Sequence, residues 1–381
     1  MKDPNGVLSL LNQHVAESLE ITQLEVFVVR ATSRSNWVLL RLKTNHGITG
    51  IGECTLGNVT EFPLRPFFDL LKGTSPFAIE AYRTGARDLV SDLLSATAMS
   101  GLEQALWDIA GKALDASVSD LLGGQWSAPL PVYANINRGT VDRSVKGFSA
   151  RAAAAMQAGF HALKAAPFDG FPSRSAPARA IEEATQLGID IMHGIRQVQA
   201  AQDLLMVDCH SFFTSTQAIS VADALIPADL YWFEEPCPPE DIDSTLAIKT
   251  EIQQPMAGGE MLFGTEGFRP LCEHRAYDVI MPDIKHCGGI YECLLIADLA
   301  AAYDIRVAPH NPSGPLATIA SAHVCAATPN FDILEFQWGE ADWYGDLLYP
   351  PVEFAHGNLL PKPGPGYGVE LNDALVRDKA L

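Results

Sequence analysis

The sequence predicts an α/β fold, a (β/α) barrel preceded by a small α+β domain. From Pro129 onward, short apolar runs typical of buried parallel strands alternate with helical stretches. Eight such runs occur, which is the number of strands in a TIM-like barrel, and several carry an acidic residue at or near their carboxyl end, as expected where barrel strands meet at a catalytic mouth. The runs are PVYANIN, GFHALKAAP, LLMVDCH, DLYWFEEP, QQPMAGGE, YDVIMPD, DIRVAPH and FDILEFQ.

The region before the barrel predicts a separate α+β domain. From Leu24 to Glu53, β-rich runs alternate with turn residues, which is typical of an antiparallel meander. From Pro66 to Leu122, apolar residues recur at helical spacing. The tail beyond Pro350 is rich in proline and glycine, and we expect it to return to the first domain. The predicted domains are residues 1–128 together with 351–381, and residues 129–350 for the barrel.

Composition limits the class of partner and the compartment. Lys and Arg total 26 against 46 Asp and Glu, a net charge of −20, which argues against nucleic acid or an anionic membrane as a partner. The seven cysteines are odd in number and never spaced CxxC, so we expect neither a disulfide framework nor a zinc knuckle. The first residues, MKDPNGVLSLLNQHV, do not resemble a signal peptide, and no apolar run is long enough to span a membrane. These features predict a cytoplasmic protein.

Three acids at consecutive strand ends predict a metal site. Asp208 lies in LLMVDCH, Glu234 in YWFEEP and Glu260 in PMAGGE, each directly after an apolar run. A single acid of this kind commonly ends a strand or caps the next helix. Three in succession would converge at the mouth of the barrel. Carboxylate oxygens suit Mg²⁺, a hard cation that keeps positions open for a substrate.

A histidine and two further acids follow at later strand ends. Asp283 ends YDVIMPD and His310 ends DIRVAPH, on the sixth and seventh predicted strands. A carboxylate bonded to one imidazole nitrogen fixes the tautomer and leaves the other nitrogen free to act as a base. A lone histidine is more often structural, but one beside three metal-type acids favours catalysis. Glu335, at the end of the last strand, could share a proton with a substrate oxygen or form a structural ion pair.

The connection between the second and third predicted strands is unusually long. More than forty residues separate Leu163 from Met206, which exceeds what a single crossover helix requires. Long loops at the catalytic end of a barrel commonly contact substrate. A surface excursion without a functional role is the alternative.

The site residues carry a resemblance to a known family. Together with WFEEP, GGE, MPD and the TP-to-LE ending, the set resembles the enolase superfamily and, within it, the mandelate racemase-like subgroup. The resemblance covers nearly the whole chain and implies a (β/α)7β barrel with an N-terminal α+β capping domain completed by the C-terminal tail. It also implies a histidine base and an enediolate stabilised by Mg²⁺. The residues that match are Asp208, Glu234, Glu260, Asp283, His310 and Glu335.

One departure from the family pattern refines the expected activity. Racemases of the subgroup carry Lys-x-Lys on the second strand, whereas this chain has Lys164 followed by Ala165 and Ala166, which counts against racemisation through the second lysine. His210, in DCHS, stands two residues after the first metal-type acid, as in the galactonate and mannonate dehydratase branch. There the equivalent histidine is the acid that expels a hydroxyl group. Lys164 is left as a partner of the substrate carboxylate, or as an ion pair inside the barrel.

The resemblance therefore implies a hydro-lyase that converts a sugar acid, an aldonate or an aldarate, to a 2-keto-3-deoxy acid. His310, oriented by Asp283, would remove the carbon-2 proton, and His210 would protonate the leaving hydroxyl. A racemase, epimerase or cycloisomerase acting through the same enediolate is one alternative, and a non-catalytic binding protein is another. We also expect a homo-oligomer, between a dimer and an octamer. Predicted substrate contacts are Asn135, Asn137, Arg174, His193 and Trp338, with specificity from loops 30–36 and 55–62.

Overall fold

The computed structural model describes residues 18–381. The segment MKDPNGVLSLLNQHV, to which the prediction about a signal peptide applies, lies outside the described residues. Among the helices of residues 18–381, none has the length and apolar character needed to cross a membrane.

The first domain begins with the predicted antiparallel meander. Glycines at the third strand allow close packing on a helix: a Cβ at Gly52 would lie 2.0 Å from the carbonyl oxygen of Gly101. That helix begins at Asp92, whose side chain accepts a hydrogen bond from Ser95 N in a capping box. The elements are Ile21–Arg30 (β1), Asn36–Thr44 (β2), Thr49–Glu53 (β3), Leu64–Leu71 (α1), Ile79–Arg87 (α2), Leu93–Leu114 (α3) and Val118–Leu121 (α4).

Eight parallel strands follow, and each overlaps one of the eight predicted runs. The strands are Leu130–Asn135 (β4), Ala162–Ala165 (β5), Leu204–Asp208 (β6), Trp232–Glu234 (β7), Met256–Gly258 (β8), Val279–Ile280 (β9), Arg306–Val307 (β10) and Leu334–Gln337 (β11). The helices between them are Val145–Gln157 (α5), Ala178–Val198 (α6), Ser215–Ala224 (α7), Ile242–Glu251 (α8), Gly264–Glu273 (α9), Ile290–Ala301 (α10) and Pro315–Ala327 (α11). A 3-10 turn, Ile226–Ala228, precedes β7.

The strands form the predicted barrel. Their order is β11-β4-β5-β6-β7-β8-β9-β10, with parallel pairing throughout. The ring closes between β10 and the residues before β11, where Val307 N donates to Asn330 O at 3.0 Å and Asp332 N donates to Val307 O at 2.9 Å. Buried side chains from the strands, among them Tyr133 and Trp232 in edge-to-face contact at 5.5 Å, fill the interior. The barrel is therefore a packed core with its chemistry at the mouth.

The long connection after β5 is mostly one helix. Of the residues between β5 and β6, α6 alone takes 21. The rest consists of the loop 166–177 before the helix and the short connection 199–203 after it. This loop follows directly from the carboxyl end of β5, so it lies on the side of the barrel where the predicted acids lie.

A buried carboxylate joins the first domain to the barrel mouth. Glu53, the last residue of β3, accepts hydrogen bonds from Gly314 N at 2.7 Å and Ala317 N at 2.8 Å, at the start of α11. Burial raises the pKa of Glu53 despite these bonds. Because α11 follows the loop that carries His310, this contact sets the first domain beside the predicted site.

The C-terminal tail contacts both parts of the molecule. A hairpin of Phe354–Ala355 (β13) and Asn358–Leu359 (β14) extends the sheet antiparallel to β4, while Leu348–Tyr349 (β12) pairs with Glu370–Leu371 (β15) after the 3-10 turn Gly345–Leu347. The last helix is Asp373–Lys379 (α12), and Leu381 N donates to Val28 O of β1 at 2.9 Å. The end of the tail thus packs on the first domain. The predicted domain boundaries themselves stay a prediction.

Candidate active site

The structure brings the three predicted metal-type acids together at the mouth. Asp208 and Glu234 are the last residues of β6 and β7 and are paired in register, and Glu260 follows β8 by two residues. One oxygen from each carboxylate lies within 4.8 Å of the others, and all three residues are buried. Parallel strands that end at the same level therefore produce the cluster.

The electrostatics of this cluster fit a divalent cation. Burial raises the pKa of Glu234 to about 8, and burial with the charges of neighbouring acids raises that of Glu260 well above its usual value. The Oε2 atom of Glu260 accepts no hydrogen bond, although it is buried. Several buried carboxylates with an oxygen left unsatisfied are costly unless a cation compensates them. An all-oxygen set of this kind suits a hard cation.

Lys164 on β5 occupies the centre of the acids. Its Nζ atom lies 2.6 Å from Glu234 Oε1 and 3.3 Å from Glu335 Oε1, and the side chain is 1% exposed. Burial opposes the charge of Lys164, but these carboxylates outweigh it and raise its pKa well above the usual value. Of the two roles predicted for Lys164, this geometry matches the ion pair inside the barrel. Contact with a substrate carboxylate stays a prediction.

Replacing Lys164 with methionine is expected to destabilise the protein. The change leaves buried carboxylates without their cation, and breaking a buried ion pair by removing one partner costs about 3–5 kcal/mol of unfolding free energy. Chemical denaturation without added metal measures this loss. Lys249→Met is the control, because Lys249 Nζ bonds Asp278 Oδ1 at 2.9 Å in a partly exposed pair expected to contribute less than about 1 kcal/mol. Equal losses in the two variants would contradict the role given to Lys164.

His310 and Asp283 form the predicted carboxylate–imidazole pair. His310 Nδ1 lies 2.8 Å from Asp283 Oδ2, and His310 Nε2 lies 3.2 Å from Glu260 Oε2. Burial opposes ionisation of Asp283, but Lys285 and the nearby imidazoles hold its pKa well below the usual range. The ionised carboxylate therefore accepts from His310 Nδ1–H. Burial also lowers the pKa of His310, which keeps the ring neutral with its Nε2 lone pair turned toward the acids.

A second group of possible metal ligands shares these residues. Asp283, His286 and His310 offer ligand atoms within 4.8 Å of one another. However, Lys285 Nζ lies 2.5 Å from Asp283 Oδ2, the oxygen that also contacts His310 Nδ1. His286 Nε2 donates to the carbonyl oxygen of Glu260 at 2.6 Å. Asp283 is the one carboxylate of this group, and the ammonium group of Lys285 already balances its charge. We therefore assign this group to hydrogen bonding around His310.

Glu335 is held as a structural anion. Its Oε1 atom accepts from Asn135 Nδ2 at 2.6 Å, and its Oε2 atom accepts from Asn311 N at 2.9 Å. Burial opposes ionisation, but the charge of Lys164 and the hydrogen bonds from Asn135 and Asn311 outweigh it and lower the pKa of Glu335. Both oxygens are engaged, so the geometry favours the ion pair over proton sharing with a substrate.

His210 lies two residues after the end of β6, in a strained turn. His210 and Ser211 have φ angles of +46° and +58°, in the left-handed region. Its Nδ1 atom lies 2.6 Å from Asp169 Oδ1, and its Nε2 atom lies 2.9 Å from Asp208 Oδ2. The charge of Asp208, opposed by burial and reinforced by Asp169, raises the pKa of His210 to about 12. His210 is therefore protonated beside the acid cluster.

A cavity of about 340 Å³ opens above these residues. Both predicted asparagines, Asn135 and Asn137, line it, as do His210 and His310. Loops 30–36 and 55–62 of the first domain contribute Arg34, Thr55, Leu56 and Gly57. A larger cavity of about 890 Å³ lies between α2, α3 and α10, but none of the acid cluster lines it. The smaller cavity is the candidate substrate site.

Three predicted substrate contacts lie outside this cavity. Arg174 is exposed in the loop after β5. His193 lies on α6, where its Nε2 atom is 3.1 Å from Ala224 O, because the helical repeat turns it toward the end of α7. Trp338 packs on Phe160 with ring centroids 6.3 Å apart and lies under the Arg151 guanidinium. The structure therefore gives no support to these three contacts.

Several cavity residues were missed by sequence reasoning. Lys285 and His286 lie two and three residues after Asp283, and Asp169 lies in the loop after β5, four residues past the strand. The rule that residues just past barrel strands face the mouth would have found Lys285 and His286. Gln337, the last residue of β11, also lines the cavity and could have been found by the same rule, whereas Arg138, in the loop after β4, carried no comparable signal.

A capped barrel with convergent acids and two carboxylate–imidazole pairs at its mouth defines a (β/α)-barrel enzyme. A sequence profile described as "Enolase C-terminal domain-like" matches residues 147–375, and one described as "Mandelate racemase / muconate lactonizing enzyme, N-terminal domain" matches residues 16–123. The chain belongs to the mandelate racemase/muconate lactonizing enzyme family of the enolase superfamily. The predicted fold class and family are thereby confirmed.

Curated relatives and a solved structure agree with this assignment. D-xylonate dehydratase of Haloferax volcanii is 31% identical over 98% of this chain and 95% of its own length. D-galactarolactone cycloisomerase of Agrobacterium fabrum is 32% identical over 97% of this chain and 98% of its own length. The crystal structure of a mandelate racemase/muconate lactonizing enzyme-like protein from Roseovarius sp. TM1035 superposes with a TM-score of 0.84 at 27% identity, covering 95% of each chain.

Proposed function

We propose that this protein catalyses the Mg²⁺-dependent dehydration of an acid sugar, an aldonate or an aldarate, to a 2-keto-3-deoxy acid. The observation that carries the proposal is the position of the two carboxylate–imidazole pairs. His210 follows β6 and His310 follows β10, and four strand positions separate β6 from β10 in the eight-stranded ring. The two imidazoles therefore approach the cavity from opposite sides. The relative named D-xylonate dehydratase supports the reaction class.

The proposed reaction uses one imidazole as base and the other as acid. His310 Nε2 takes the carbon-2 proton, while Asp283 holds Nδ1–H and stabilises the imidazolium that forms. A cation held by Asp208, Glu234 and Glu260 would supply charge stabilisation to the substrate carboxylate during this step. His210 gives a proton to the 3-hydroxyl group, which leaves as water. The remaining enol then rearranges to the ketone, so the net change is loss of one water molecule.

The second candidate is an isomerase acting through the same first step. The D-galactarolactone cycloisomerase relative has an identity to this chain similar to that of the dehydratase relative. His210 also stands where a second base would reach the opposite face of carbon 2. The second lysine of racemases is replaced here by Ala166, which is buried and has no ionisable group that could act as a base. The product distinguishes the candidates: an isomerase gives an epimer or a lactone, whereas a dehydratase gives a 2-keto acid.

The metal assignment predicts a defined loss in Glu234→Gln. The change removes one of the formal charges of the site while keeping the size of the side chain, so we expect Mg²⁺ to bind about 10- to 100-fold more weakly. As the Mg²⁺ concentration is raised, activity should recover in proportion to the fraction of sites occupied. Isothermal titration of Mg²⁺ into the metal-free protein measures the affinity. Glu240→Gln, in the exposed turn after β7, is the control and should bind Mg²⁺ like the wild type. Unchanged affinity in Glu234→Gln would remove it from the site.

A substrate screen tests the proposed function. The purified protein with Mg²⁺ is incubated with a panel of aldonates and aldarates, and formation of a 2-keto acid is followed. We expect dehydration of one or more members, abolished by a chelator and restored by Mg²⁺. Epimerised or lactonised sugar without keto acid would favour the isomerase.

We further infer a cytoplasmic location and a homo-oligomeric state. All seven cysteines are unpaired and buried, which supports a reducing compartment. Light scattering of the purified protein tests the homo-oligomer, and a monomeric mass would contradict it.

A further inference from the structure

Asp169 lies in the loop after β5 and contacts the acid side of the site. Its Oδ1 atom lies 2.6 Å from His210 Nδ1, and its Oδ2 atom accepts from Asn137 Nδ2 at 2.7 Å. Arg143 Nη2 lies 3.7 Å from the same Oδ2 atom. The side chains of Asp169 and His210 are 37% and 35% exposed, and both line the cavity, so this pair is open to a substrate.

We propose that Asp169 is the positioning residue for His210, the counterpart of Asp283 for His310. The inference rests on the proposed function, because it concerns the proton donor of that reaction. By accepting from Nδ1–H, the Asp169 carboxylate fixes the orientation of the ring and directs Nε2–H toward the acid cluster, where the substrate hydroxyl would lie. Without this carboxylate the ring can rotate, and the proton is no longer held at the required atom.

The loop that carries Asp169 is docked on the turn that carries His210. Phe168 and Phe171, on either side of Asp169, pack edge-on against Phe213 with ring centroids 4.9 Å and 5.2 Å away. Phe213 lies three residues after His210, so one aromatic cluster fixes both members of the pair. A precise hydrogen bond between two loops requires such support from packed neighbours.

The backbone at His210 gives an independent indication. Consecutive left-handed residues without glycine, His210 and Ser211, cost conformational energy that the surrounding structure must compensate. Ser211 N donates to Glu235 O at 2.7 Å, and His210 N donates to Asp208 Oδ1 at 3.0 Å, which holds the turn. The turn presents the imidazole to Asp169 on one side and Asp208 on the other. Strain of this kind is concentrated at functional sites.

The test uses Asp169→Ala and a matched control at another Asp–His pair. Asp203 Oδ1 lies 3.0 Å from His161 Nδ1, away from the cavity. With a substrate from the screen, we expect Asp169→Ala to lower kcat for dehydration about 10- to 100-fold, the range typical of removing a residue that orients a functional imidazole. Exchange of the carbon-2 proton with deuterium, which depends on His310, should stay within about threefold of wild type. Asp203→Ala should change neither rate per folded molecule.

A double variant separates positioning from a general effect. In the His210→Asn background, Asp169→Ala should cause no further loss of dehydration, because the group it positions is gone. Asp169→Asn, whose amide oxygen can still accept from Nδ1–H, should retain more activity than Asp169→Ala. An additive loss in the double variant, or equal losses of exchange and dehydration in Asp169→Ala, would overturn the inference. If the wild type dehydrates no acid sugar, the proposed function fails instead, and the two failures are distinct.

Discussion

Replacing His310 with asparagine is expected to stop both dehydration and carbon-2 exchange. His310 is the neutral imidazole oriented by Asp283 at 2.8 Å, and its Nε2 atom is the base in the proposed first step. Because every later step depends on removal of the carbon-2 proton, both rates should fall by about 10⁴-fold, the upper end of the range for losing a general base. Deuterium exchange by NMR and keto acid formation, measured on one sample, give the two rates.

Mg²⁺ affinity and a second histidine variant serve as controls for His310→Asn. The variant should still bind Mg²⁺, because the acid cluster remains complete. His193→Asn should leave both rates unchanged, since His193 lies on α6 and bonds a backbone carbonyl. Exchange at the wild-type rate in His310→Asn would show that another residue is the base, and this result would favour the isomerase over the dehydratase.

Replacing His210 with asparagine is expected to separate the two steps. Asparagine keeps approximate size and polarity but delivers no proton, and loss of a general acid typically costs about 10²–10⁴-fold in rate. Dehydration should fall by that factor, while carbon-2 exchange survives in part, because His310 can still form the enediolate and return the proton or a deuteron.

The alternative for His210 gives a different pattern. If His210 only supports Asp208, to which its Nε2 atom lies at 2.9 Å, then exchange and dehydration should fall together with Mg²⁺ affinity. Recovery of both rates at saturating Mg²⁺ would identify that case and would remove His210 from proton transfer. Dehydration that stays low at saturating Mg²⁺ while exchange continues supports the acid.

The sequence predicts the barrel and its acid cluster because both depend on local patterns. A buried parallel strand reads as a short apolar run, and its last residue faces the mouth, so Asp208, Glu234 and Glu260 could be placed together without a structure. The alternation of strand and helix fixed the order of the eight strands. The pair of Asp283 and His310 follows from the same rule applied to adjacent strands, β9 and β10.

The contacts that were predicted without support from the structure, and those that were missed, depend on side-chain direction and on loops. His193 and Trp338 are polar or aromatic residues near the expected site, but helix rotation and packing turn them away from the cavity. Asp169 lies in a loop whose path is set by the packing of Phe168 and Phe171 on Phe213, which no local pattern encodes. The sequence singles out Lys164 but does not determine its role, because the carboxylates that it contacts come from three other strands.

The fate of carbons 2 and 3 in D₂O tests the central claim most directly. The wild-type protein with Mg²⁺ and an acid sugar from the screen is followed by NMR until the reaction is complete. We predict a 2-keto-3-deoxy acid that has lost the carbon-2 proton and carries one solvent deuteron at carbon 3, gained when the enol becomes the ketone. A sugar acid recovered with deuterium at carbon 2, inverted or cyclised but with its 3-hydroxyl group intact, would contradict the dehydratase.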